Sequence, residues 1–567
     1  MAQAKIIRAL DPRETGDVIK FFETFDGILE KNSGVHDCKC LTNDSYDPPC
    51  PLPKNMYTKV KLTDDAIHIT NIDKSYISMR VSFDLKLDVD PTFKFNIKGT
   101  HSMWSLKNYV IFVGFKSAIH CIDAYRIYSR GKKTTCEQTE ALYENAVTYF
   151  LKPEQEICNR PNTYSPWENV AKGSRNVCGV YIPLDKFMEQ GRDIDGYVSE
   201  SFKTNQTLTI AFDLNIPFDD FLPLSAMSMF PNCLFGNLVL ELKQTIQNNL
   251  VFCQLPFDAA YRLNEGDQSI RHEIPTAAID PCFTQINDTM TFKAFSYDGD
   301  TADAKILKEK STPFTLTCLN GQILTCRSNI NGFNIKQAVL DTLLNAYAEK
   351  EMIIPAQIVD YQAFSQTVQP GGLKCNTTYT LTNITNVILT FPRTGNQITV
   401  SKNPNFGNIQ LQIEGKPYPD KPFSTLETAH TEFNLVNANL DSIWAPNKTY
   451  AYSLTGPDYV DFGGDMARAQ ITEDDGNYCF NCSTERLCGA GVFCDGLSKM
   501  SAHINLSATN ADTTKTNPYL FPDGTNKNDV APLMMLVQDT FWRCTVKKGA
   551  EWVSNNPVFY EEQTGSD

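Results

Sequence analysis

Apolar and polar residues alternate along much of the chain. Between residues 77 and 89 the apolar positions are Ile77, Met79, Val81, Phe83, Leu85, Leu87 and Val89, with Ser78, Arg80, Ser82, Asp84, Lys86 and Asp88 between them. Successive side chains of a strand point to opposite faces, so this period of two predicts one long strand with a buried face and a wet face. The same rhythm returns at Leu208, Ile210, Phe212, Leu214 and Ile216, and at Leu238, Leu240 and Leu242. In the second half it marks Phe314, Leu316 and Cys318, then Ile409, Leu411 and Ile413, then Ile504 and Leu506. Clusters of Gly, Pro and Asn at 371–372, 403–407 and 522–524 supply the turns such strands need.

Helical spacing is scarce. One candidate covers 137–151, with Ala141, Leu142, Ala146, Val147, Phe150 and Leu151 on one side; another covers 335–349, with Val339, Leu343, Leu344 and Tyr347. No short tandem period appears, which argues against a solenoid or propeller. The pattern predicts an all-β chain in two large domains. The expected division is an N-terminal arm at 1–50, a first domain at 51–262, a polar connection without alternation at 263–281, and a second domain with a C-terminal segment at 282–567.

Composition narrows the function. Hydrophobic residues are 42% and charged residues 21% of 567, which suits a folded globular chain rather than a disordered one. The balance of 51 basic against 66 acidic residues, net −15, excludes a surface built throughout to neutralise phosphate. Apolar runs such as 109–115 fall far short of the ~20 residues a spanning helix needs. Residues 1–15 carry charges of both signs without an apolar core, so no secretory signal is expected. The 18 cysteines are too dilute for a disulfide scaffold, and reduced thiols are the expectation. Asn-x-Ser/Thr triplets at Asn205, Asn287, Asn376, Asn383, Asn447 and Asn505 would matter only in a secretory route. The 34 Phe and 23 Tyr are expected to fill β cores rather than to stack on single-stranded nucleic acid.

Motifs for chemistry are weak. There is no phosphate-binding Gly-rich loop, no Gly-x-Ser-x-Gly elbow and no His-Glu-x-x-His helix; His272-Glu273 is followed by Pro275, which breaks the helix such a site requires. The seven histidines, at 36, 68, 101, 120, 272, 430 and 503, do not cluster in sequence. The acidic pairs Asp219-Asp220 and Asp474-Asp475 could serve acid–base work but read as solvated loop residues. Cys479, Cys482, Cys488 and Cys494 are a zinc candidate, because a C-x2-C pair suits one edge of a tetrahedral thiolate site; the later spacings fit no common zinc ribbon. A weaker cluster is His36, Cys38, Cys40 and Cys50, and Asp298, Asp300 and Asp303 lack the spacing of a calcium loop. No catalytic residue, cofactor or bound metal is expected.

Three stretches carry a resemblance. The first is Val113-Gly-Phe-Lys-Ser-Ala-Ile-His-Cys-Ile-Asp-Ala-Tyr-Arg-Ile-Tyr-Ser-Arg-Gly-Lys132, followed by the first helix candidate and Leu151-Lys-Pro153. The second is Ile216-Pro-Phe-Asp-Asp-Phe-Leu-Pro-Leu-Ser-Ala-Met-Ser-Met-Phe-Pro-Asn-Cys-Leu-Phe-Gly-Asn-Leu238. The third joins Ser483-Thr-Glu-Arg486 to Phe493-Cys-Asp-Gly-Leu497, with Gln410-Leu-Gln-Ile-Glu-Gly-Lys-Pro-Tyr418 before it. In order and spacing, over 109–542, they resemble the double jelly-roll major capsid proteins of Polinton/Maverick elements and adintoviruses, apart from the Cys-rich insertion at 479–494. The resemblance implies two consecutive eight-stranded jelly rolls with a few short helices in loops. It further implies a homotrimer that tiles an icosahedral shell around double-stranded DNA, assembled inside a host cell. The partners implied are neighbouring capsomers, a single jelly-roll penton protein, minor capsid or cement proteins and a maturation protease, with no sequence-specific nucleic acid. The arm at 1–50 is expected to face inward or tie neighbours. The competing reading is a β-sandwich surface module that binds a glycan or receptor.

Overall fold

A computed structural model describes residues 29–41, 45–46, 50–51, 57–89, 109–129, 136–151, 160–166, 169–170, 173–187, 207–225, 227–244, 249–255, 284–286, 289–297, 307–348, 350–366, 372–392, 406–423, 479–484, 496–510 and 531–553. The first half contributes β1 (Leu29–Asp37), β2 (Tyr57–Lys61), β3 (Ile69–Val89), β4 (Val110–Gly114), β5 (Ile122–Ser129), α1 (Ala141–Leu151), β6 (Gly179–Pro183), β7 (Leu208–Pro217), β8 (Leu238–Gln244) and β9 (Val251–Gln254). The second half contributes β10 (Thr289–Tyr297), β11 (Leu307–Ile335), α2 (Gln337–Tyr347), β12 (Met352–Ala363), β13 (Gly372–Thr390), β14 (Phe406–Ile413), β15 (Lys416–Phe423), β16 (Cys479–Ser483), β17 (Leu497–Asn510), β18 (Leu533–Thr545) and β19 (Gly549–Val553). The chain is all-β with short helices, as the alternation requires.

Among the described residues three sheets enclose one core, built mainly from the first half. β1, β11, β3 and β7 run side by side; β6, β4 and β9 form a second sheet; β2, β8 and β5 lie at the centre of a third. Ile77, Met79, Val81, Phe83, Leu85 and Leu87 of β3 enter that core together with Ile111 and Val113 of β4, Tyr125 and Ile127 of β5, and Leu238, Leu240 and Leu242 of β8. The period of two therefore did what it predicts: one face buries apolar area, at about 25 cal/mol per Å², and the other keeps its polar groups in water. Where β6 pairs antiparallel with β4, Gly179 lies opposite Gly114, and the Phe112 ring lies where a Cβ on Gly179 would stand. Close approach of backbone and ring is what the absent side chain permits.

β11 follows the expected connection at 263–281, yet it pairs antiparallel with β3 from Phe314↔Val89 to Phe333↔Ile69 and with β1 from Leu29↔Ile335 to Asp37↔Arg327. Part of the expected N-terminal arm is thus a strand of this sheet. Residues 263–281 and the turn signals at 371, 403–405 and 522–524 lie outside the described residues.

From β12 onward the described strands of the second half form one sheet, in the order β12-β18-β13-β17-β14-β15, with β16 on β13 and β19 on β18. One face buries Leu373, Leu381, Ile409, Leu411, Ile504, Leu506, Met534 and Leu536. On the other, Val359, Ile388, Leu533, Met535 and Val537 pack against Ala146, Val147 and Tyr149 of α1 and against Tyr164 and Leu222. β18 is buried without interruption from Leu533 to Trp542, because it is central and covered on both faces.

α1 begins later than its periodicity suggested. Residues 136–138 extend the β5 sheet instead, and Arg126 Nε donates to Glu137 Oε1 at 2.7 Å across that ladder. The second helix candidate matches α2 within a residue or two at each end.

Candidate functional site

The unusual chemistry of the molecule lies where the halves meet. β4 ends in the segment 115–117 and a single 3₁₀ turn, Ala118–Cys121, which passes beneath α1; both are fixed by backbone bonds, Ala118 N to Thr163 O at 2.7 Å and Ser165 N to Lys116 O at 2.8 Å. β7 ends in the turn 218–220 and the short helix Leu222–Ser225, which enters the same region from the other side. These elements carry Lys116, Ser117, His120, Glu144, Asn145, Thr148, Asp219 and Asp220 into the interior, all at 8% exposure or less.

Each group is placed by a specific contact. Arg160 donates to both oxygens of Asp219 at 3.0 and 2.9 Å, and its guanidinium stands 3.8 Å from Asp220. Tyr164 donates its hydroxyl to Asp220 Oδ1 at 2.7 Å, and Thr148 Oγ1 donates to the Asp220 carbonyl at 3.3 Å. Burial would lower the Arg160 pKa, yet the bond to Asp219 and the charges of both aspartates raise it. This paired fork is the geometry in which a partly buried ion pair holds together. The expectation that Asp219-Asp220 is solvated is corrected: the pair is buried, because Arg160 and Tyr164, remote in sequence, close over it.

α1 supplies the second group. Tyr125 donates its hydroxyl to Glu144 Oε1 at 2.5 Å, and Leu222 N donates to the same oxygen at 3.0 Å, while Oε2 has no partner. Burial lifts the Glu144 carboxyl to about 8, against the pull of those two donors. Asn145 Nδ2 donates to the carbonyls of Ile119 and Ile122 at 2.9 and 3.2 Å, clamping the 3₁₀ turn to the helix. His120 is sealed, with neither ring nitrogen bonded, and burial and the nearby Lys116 charge push it down to about 3. The Lys116 ammonium stands 5.9 Å from the Tyr149 ring centroid. Burial pushes the Cys121 and Cys178 thiols up to about 12, which removes them as nucleophiles.

From the second half, Trp542 Nε1 donates to the Pro223 carbonyl at 2.7 Å, Gln138 Nε2 to Val359 O at 2.8 Å, and the rings of Tyr143 and Tyr361 stack at 3.9 Å and 13°. The whole is an interlock. Lys116, His120, Glu144 and Asp220 are buried within it, Arg160 keeps 26% of its side chain exposed, and the contacts orient these elements against one another.

Among the described residues the other candidates do not gather. Cys479 and Cys482 lie three residues apart on β16, an odd spacing that sends one side chain to each face; Cys479 packs in the cluster against α1, and Cys482 in the cluster on the opposite face. The two thiols therefore do not form the shared edge that a C-x2-C zinc pair provides. Cys488, Cys494, His272, Glu273, Asp298, Asp300, Asp303, Asp474 and Asp475 lie outside the described residues, as do the side chains of Cys40 and Cys50. His36 bonds Asp64 at 2.7 Å, Cys38 is buried in the core, His68 Nδ1 accepts from Ile335 N at 2.9 Å, and His503 meets Thr378 at 3.1 Å. Among the described residues no three His, Cys, Asp or Glu side chains are placed to hold a metal ion, and no helix is long and apolar enough to cross a membrane. Nothing in the linear order marks Glu144, His120 and Lys116 as a group; each is an ordinary residue until the fold seals it.

No protein-family model matches the chain, and no curated protein matches it. Among solved structures, it is similar to VP54 of PBCV-1 fitted into a reconstruction of the virophage Sputnik, with a TM-score of 0.43 and 7% identity over 94% of this chain and 100% of that one. It is similar to a chain of the Sputnik virophage itself, with a TM-score of 0.43 and 10% identity over 94% and 91%. The mavirus major capsid protein gives a TM-score of 0.43 and 9% identity over 94% and 92%.

Proposed function

We propose that the chain is a major capsid protein of the double jelly-roll type, which trimerises into pseudo-hexagonal tiles of an icosahedral shell around double-stranded DNA. One observation carries this reading. Of the two longest stretches that resemble Polinton and adintovirus capsid proteins, 216–238 supplies Leu222, which packs on the second-half sheet, and Pro223, whose carbonyl accepts from Trp542, while 113–132 supplies the 3₁₀ turn that holds α1 from below. Their resemblance thus falls on residues that fix two β bodies in one orientation, which is what a tile requires and a flexible binding module does not. The sealed state of the ionisable cluster fits a structural role, as does the net charge of −15, which suits a wall that does not itself neutralise the genome. The division at 51–262 and 282–567, the tying arm at 1–50, the penton and cement partners and the virion location belong to the same proposal.

Size-exclusion chromatography with light scattering tests it. The expected species is a stable trimer, and its images face-on are expected to show a six-lobed outline. A strictly monomeric, well-folded product at high concentration would overturn the reading.

A further inference from the structure

Glu144 stands out within the interlock. Its carboxyl is fully buried, one oxygen takes both available donors, and the other takes none. A carboxylate in that position would leave a charged oxygen unsolvated and unbonded, which is far more costly than a neutral acid. Its position also gives it leverage. It lies on α1, the helix whose Ala146, Val147 and Tyr149 cover the second-half sheet, and it holds the backbone of Leu222, which packs on that same sheet.

We propose that Glu144 is a proton-operated latch in the cover of the second-half sheet: protonated, it fastens α1 to the 222–225 helix, and ionised, it drives the two apart and loosens that cover. The latch goes beyond the capsid reading and does not depend on it, because it acts within one chain.

The groups around it set the direction of the response. Tyr125 on β5 and Cys136 beside it are both held neutral by burial. Leu222 N is the contact from the 222–225 helix. At the far end of α1, Lys116 and His120 face Tyr149, and Arg160 is engaged by Asp219 and Asp220. From β12, Tyr361 stacks on Tyr143 at the rim and bonds Glu140. Among the described residues, the groups that act on Glu144 are Tyr125 and Leu222, and neither is a cation. Its carboxyl titrates near 8 when closed and near 4.5 when solvated. The closed state therefore binds one more proton between those limits, so opening becomes more favourable as pH rises through this window and levels off above it. His120 works in the opposite sense: closed and neutral, it disfavours the closed state only as pH falls below its solvated value of 6.5.

The test is hydrogen exchange of the α1 amides and of Leu222 in the full-length protein from pH 5 to 8, corrected for intrinsic exchange. From pH 6.5 towards 8, above the range in which His120 opposes it, the wild type is expected to show an opening equilibrium that grows about tenfold per pH unit; below 6.5 the two protons offset each other and the slope flattens. Glu144→Gln keeps an acceptor for Tyr125 and Leu222 and is expected to remove that slope. Tyr125→Phe removes a donor that favours the ionised form and is expected to extend the slope to higher pH. A second readout, independent of the variant's stability, is the infrared band of a protonated carboxyl at pH 7 in the wild type, absent in Glu144→Gln. Equal slopes in wild type and Glu144→Gln, or no protonated-carboxyl band assignable to Glu144, would overturn the latch.

Discussion

Replacing Trp542 with Phe probes how firmly the second half is fastened to the first. Trp542 is fully buried, and its indole nitrogen donates to the carbonyl of Pro223, a residue of the short helix that also carries Leu222. The ring meets Trp552 edge-on, with centroids 4.9 Å apart at 71°. Phenylalanine retains an aromatic ring for that contact but cannot donate. The buried Pro223 carbonyl is left without its partner, which costs about 1–3 kcal/mol, and the smaller ring leaves a cavity that adds roughly another 1 kcal/mol. A total near 3 kcal/mol is expected, a substantial part of a domain's margin of about 5–15 kcal/mol. Urea unfolding followed by circular dichroism reads it without relying on the removed fluorophore. The midpoint is expected to fall at unchanged slope, since the surface exposed on unfolding stays the same. A loss below about 0.5 kcal/mol, the scale of an ordinary surface substitution, would refute the argument that this bond joins the halves.

Two further substitutions test other parts of the junction and core. Arg160→Ala strips the partner from Asp219 and Asp220 and is expected to cost about 3–5 kcal/mol, with Arg160→Lys less damaging because it keeps the charge but loses the fork; thermal melts of the two variants rank them. Gly179→Ala drives a methyl into the Phe112 ring and the Val113 carbonyl and is expected to cost about 1–3 kcal/mol, partly restored by Phe112→Leu; an unchanged melting temperature in the single variant would sink it.

Much of the fold was legible because a half-buried strand writes its environment into the sequence. The apolar positions from Ile77 to Leu87 and from Phe212 to Ile216, and those at Ile409 and Leu411, are buried where the alternation put them. β18 was not legible in the same way. Its run Leu533 to Trp542 has no period of two, since a strand covered on both faces has no reason to alternate. The start of α1 was misplaced because a cross-strand partner, Arg126, claims Glu137 for the sheet. The junction was the least visible part. Asp219-Asp220 reads as a solvated pair in one dimension, and only the return of the chain at 160–164 gives it Arg160 and Tyr164. C-x2-C suggests a chelating knuckle in a loop, but on strand β16 the odd spacing sends Cys479 and Cys482 to opposite faces, while Cys488 and Cys494 lie outside the described residues.

The pairing of β11 with β3 and β1 has a consequence for biosynthesis. Leu29 meets Ile335, so the partners of one sheet leave the ribosome far apart in time. At about 5–20 residues per second, β3 waits tens of seconds with one edge open before β11 emerges. Chains stalled in that interval present a long, bare β-edge to one another, the template for off-pathway aggregation. Translation speed between codons 90 and 335 is therefore a determinant of yield, independent of how stable the finished molecule is.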